Sequence, residues 1–136
     1  MKANELRIGN LVYSQTEVEN GHHLPVIVIG IDTKHITYLS QNHRIHSEIR
    51  PFQVMPIQLY PIPLTKIWLD KFGFKDSLIL LPENGELEIR LFSNSFHIWT
   101  TKEQVDVPIY RNHINNIHQL QNLYYSLTGV ELPLLG

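Results

Sequence analysis

Cysteine is absent from the chain, which removes disulfides and thiolate zinc sites from consideration and fits a reducing compartment. Long apolar runs are absent too: nothing approaches the roughly twenty apolar residues of a membrane span, and the opening Met1-Lys2-Ala3-Asn4-Glu5-Leu6-Arg7 has no signal-type apolar stretch. The expectation is a cytoplasmic, membrane-free chain. Charge of one sign is lacking as well. Eleven Lys and Arg stand against 13 Asp and Glu, a formal net charge of −2, which is the wrong sign for neutralising phosphates in bulk. Glycine is sparse, seven residues isolated at turn positions, so no phosphate-cradling loop and no Gly-x-Ser-x-Gly elbow exists. The 136 residues suit one domain that buries about two thirds of its unfolded surface.

What is present is strand and helix grammar. Leu6 to Tyr13 and Pro25 to Asp32 are apolar or β-branched runs flanking a polar stretch with Asn20-Gly21, and they read as two strands of a long hairpin. His35 to Leu39, after the turn Asp32-Thr33-Lys34, is a third strand, and the alternation from Arg44 to Ile49 is a fourth. Pro51, Pro56, Pro61 and Pro63 then impose an extended connector or edge strand, with Met55, Ile57, Leu59, Ile62 and Leu64 apolar enough to pack down. Thr65 caps a short helix from Lys66 to Phe72, with Leu64, Ile67, Trp68 and Phe72 at helical spacing and Gly73 closing it.

A second sheet follows. Ser77 to Leu81, the turn Pro82-Glu83-Asn84-Gly85 and Glu86 to Phe92 form a hairpin whose second strand sends Leu87, Ile89 and Leu91 to one face. Phe96, Ile98 and Thr100 share a face of the next strand, with Trp99 on the other, and Asp106 to Tyr110 is an edge strand marked by Pro108. The sharpest signal closes the chain. From Asn116 to Gly129, Ile117, Leu120, Leu123, Tyr124 and Leu127 fall within an arc of roughly 120°, with His118, Gln121 and Tyr125 opposite. Asn116 with Gln119 has capping-box spacing, and Gly129 stands where a left-handed residue ends a helix. The expected fold is α+β: a small β-barrel-like head over residues 1–60, then an antiparallel sheet packed by two short helices over 61–136, in one domain.

Chemistry-bearing constellations are few. Of eight histidines, the close pairs are His22 with His23, His43 with His46, and His113 with His118. An offset of three on a strand points to opposite faces, and an offset of five on a helix separates side chains by about 140°, so the spacing argues against most of these pairs and no metal site or cofactor is expected. Glu86 and Glu88 share a strand face with Arg90, which reads as a solvated face and not an acid pair. No catalytic residue is assigned.

The opening Arg7-Ile8-Gly9-Asn10-Leu11-Val12, with the runs Val26 to Asp32 and His35 to Leu39, resembles small SH3-like barrels. Three blocks, the opening Met1-Lys2-Ala3-Asn4-Glu5-Leu6-Arg7-Ile8-Gly9-Asn10, the central Pro61 to Phe74 and the closing Ile117 to Leu132, resemble a family of small bacterial proteins carried by prophages and mobile elements. That resemblance implies a mobile-element origin and brings no activity with it. The expected role is therefore a non-enzymatic interaction module whose partner is another protein or a second copy, contacted through His118, Gln121, Asn122 and Tyr125 on the polar face of the last helix. The competing expectation is a nucleic-acid accessory protein using Lys34, His43, Arg44, His46 and Arg50 on the head.

Overall fold

The computed structural model describes residues 1–19, 24–45, 48–74, 79–80, 87–91, 95–100, 105–110 and 114–134. The chain divides into two compact units, Met1–Ile62 and Pro63–Gly136, with the division inside the proline-punctuated segment.

The first unit is a curled, five-stranded antiparallel half-barrel in the order β4-β3-β2-β1-β5. Its strands are β1 (Leu11–Ser14), β2 (Val26–Ile31), β3 (Ile36–Ile45), β4 (Glu48–Val54) and β5 (Leu59–Tyr60), with the short helix α1 (Gln15–Glu19) after β1. The alternation that makes these strands also sorts them. Val12, Val26, Val28, Ile36, Tyr38 and Leu59 point inward with Leu6 to form the core, against which Met1, Ala3, Phe52 and Val54 pack. Tyr38 and Phe52 are direct cross-strand partners and stack at 5.7 Å between ring centroids.

The first strand starts later than the apolar run suggests, because residues 3–5 form a 3-10 turn and Arg7 to Asn10 form a second turn. Asn10 is fully buried there: its Oδ1 accepts the Arg7 N–H at 2.7 Å while its own N–H donates to the Arg7 carbonyl at 3.0 Å. Gly9, at φ 99°, supplies the left-handed residue that the turn needs. Gly9 N–H then donates to Val28 O, and Val28 N–H to Asn10 O, which lashes the turn to β2. Downstream, Pro51 lies within edge strand β4, as the loss of its donor requires. Met55 and Ile57 are exposed instead of packed down, whereas Leu59, Ile62 and Leu64 are buried. The cause is the 3-10 turn Pro56–Gln58, which lifts the first two outward before Leu59 pairs back onto β1.

The second unit holds a four-stranded antiparallel sheet, β6 (Ile79–Leu80), β7 (Leu87–Leu91), β8 (Ser95–Thr100) and β9 (Val105–Tyr110), in sequential order. The register sets Leu87 opposite Thr100, Ile89 opposite Ile98 and Leu91 opposite Phe96, so the two expected apolar faces are one face, buried at Ile89, Phe96 and Ile98. On the reverse face Arg90 donates to Glu88 at 2.7 Å, a surface pair. The sides to which Glu86 and Trp99 turn lie outside what is described.

Helix α2 (Lys66–Lys71) starts where Thr65 Oγ1 accepts the Trp68 N–H, and ends at Gly73 with φ 90°. It buries Trp68, Leu69 and Phe72, but Ile67 is 68% exposed, against expectation. At 100° per residue Leu69 shares the arc of Trp68 and Phe72, and Ile67 falls about 150° from its centre. Helix α3 (Ile117–Thr128) is led in by Gln119, whose Oε1 accepts the N–H of Asn115 at 2.8 Å and of Asn116 at 3.0 Å. Gly129, at φ 74°, stops it. The lead-in segments of the two helices are bridged, Pro63 with Asn116, and Leu64 N–H donates to Asn115 O at 2.9 Å.

Candidate interaction surface

The proposed contact face of α3 is rearranged by the structure. His118 is 3% exposed and Gln121 4%, so both are core positions and neither is open to a partner. Each of these residues takes part in at least one polar, ring or electrostatic interaction. The buried set Ile117, His118, Leu120, Gln121 and Tyr124 spans roughly 160°, and its centre is turned by roughly 80° from the apolar stripe. Consequently Leu123 is only half-buried and Leu127 is exposed. Asn122 is half-buried, and its carbonyl accepts the Ser126 hydroxyl at 2.6 Å. Of the four residues, Tyr125 alone stands out from the helix, at 41% exposure, with Leu127 and Val130 exposed beyond it.

The nucleic-acid candidates are only partly visible. Lys34 is exposed in the β2–β3 turn, where Asp32 Oδ1 accepts the N–H groups of Lys34 at 2.7 Å and of His35 at 2.6 Å. Those two donors hold the Asp32 carboxyl below its ordinary value of 3.8, with a smaller contribution from the His35 ring 3.7 Å away. His43 and Arg44 lie on β3 and Arg50 on β4, with side chains outside the described set, as is all of His46. His22, His23 and His113 are likewise outside it. Among the described residues no group of three or more His, Asp or Glu converges as a metal site would require.

A surface not singled out from the sequence emerges on the outer face of the half-barrel. The register aligns Leu11 with Ile27, Ile27 with Leu39, and Leu39 with Pro51, an apolar row across four strands. Ile27 is 39% exposed, Pro51 is exposed, and Leu11 and Leu39 are half-buried. A bulge between Val28 and Gly30 adds Ile29, also exposed, beside the row. Across β1 and β5, Tyr13 faces Tyr60, which is exposed. A signal for this face stands in the run Val26-Ile27-Val28-Ile29-Gly30-Ile31. It has no polar residue at any outward position, a pattern that belongs to strands covered on both sides.

No protein-family model, curated protein or solved structure matches the chain. No helix among the described residues is long and apolar enough to cross a membrane.

Proposed function

We propose that the chain acts by binding another protein, with the outer face of the five-stranded sheet as the principal contact and Tyr125 as a second anchor. One observation carries this: β2 turns Ile27 and Ile29 into water where a one-sided antiparallel sheet would place polar residues. Apolar area left wet forgoes about 25 cal/mol per Å², and a contiguous apolar face of this kind marks a contact surface. Tyr125 suits the anchor role because an aromatic body with a polar tip tolerates water and still gains on burial. His118 and Gln121 serve the same reading from beneath, fixing the roll of α3 that leaves Tyr125 outside.

The role is binding, not catalysis. The SH3-like reading of the head, a cytoplasmic setting and a mobile-element origin belong to the same proposal, since a small curled sheet in such a chain serves as a platform for a host or element protein. The row across the outer face is apolar and not basic, which favours a protein over a nucleic acid as its occupant. Affinity capture of the tagged chain from its host, with and without nuclease, tests the choice. A defined protein retained after nuclease treatment and lost from an Ile27→Lys variant supports the reading. Recovery that disappears with nuclease overturns it and returns attention to Lys34 and its neighbours.

A further inference from the structure

We draw no further inference here: the strongest candidate, the apolar row Leu11, Ile27, Leu39 and Pro51 on the outer face of the first sheet, belongs to the surface already described, and nothing in the structure shows what covers it.

Discussion

Single residues decide two features that composition leaves open. Asn10 is a buried polar side chain whose oxygen takes the Arg7 N–H in the turn that fastens the amino-terminal segment to β2. Asn10→Ala removes that acceptor, and urea unfolding is expected to show a loss of about 1–3 kcal/mol with an unchanged m-value. The second feature is His118. On a solvated helix face its replacement by alanine would change stability by no more than about 0.5 kcal/mol. At a core position His118→Ala is expected to cost about 1–3 kcal/mol in the same assay, through the cavity it leaves. The sequence places His118 on its helix but not in its environment, and it puts Asn10 on a strand where the structure has a turn. A histidine and a glutamine on the far side of an apolar stripe read as wet, because periodicity reports one packing direction and α3 is enclosed over a wider arc. Asp32 supplies a check on charge. Its carboxyl is held below 3.8 by the Lys34 and His35 backbone donors, so its contribution to stability is present above the unfolded value and is lost as pH falls through the lower folded one. NMR titration is expected to find its midpoint below 3.8, and the stability difference between the native chain and Asp32→Ala to vanish at more acid pH.

At the level of elements, ends are more legible than faces. Thr65, Gly73, Gln119 and Gly129 mark helix limits through local chemistry, and the structure uses each of them. Gly129 has open space where a Cβ would project, so Gly129→Ala is expected to cost about 1–2 kcal/mol for the left-handed backbone alone. Gly129→Asn should recover much of that in thermal unfolding, since asparagine tolerates this conformation better. Faces depend on neighbours distant in sequence. Ile67 has the spacing of a core residue, yet the arc selected by Trp68, Leu69 and Phe72 leaves it outside. The strand pairing β5 with β1 was likewise invisible, since two residues after a 3-10 turn carry no periodicity of their own. β7 and β8 were the opposite case: strict alternation in each strand specified which side chains share a face, and the register joined them.

For the whole molecule, the α+β class followed from turn formers and alternation, whereas the apolar outer row did not. An apolar run such as Val26 to Ile31 announces burial on both faces, and its exposed outer side becomes informative only once the partners Leu11, Leu39 and Pro51 are known from the register. Ile27 lies at the middle of that row, and Ile27→Lys tests the proposed contact. The substitution places a charge at an outward, part-exposed position, so the melting temperature should stay within a few degrees of the native chain. The decisive measurement is partner retention by native chain and Ile27→Lys, captured side by side from nuclease-treated host extract. The variant is expected to retain a defined partner at least about tenfold less well, as loss of a central apolar contact implies. Equal retention by a folded Ile27→Lys chain would contradict the proposed contact.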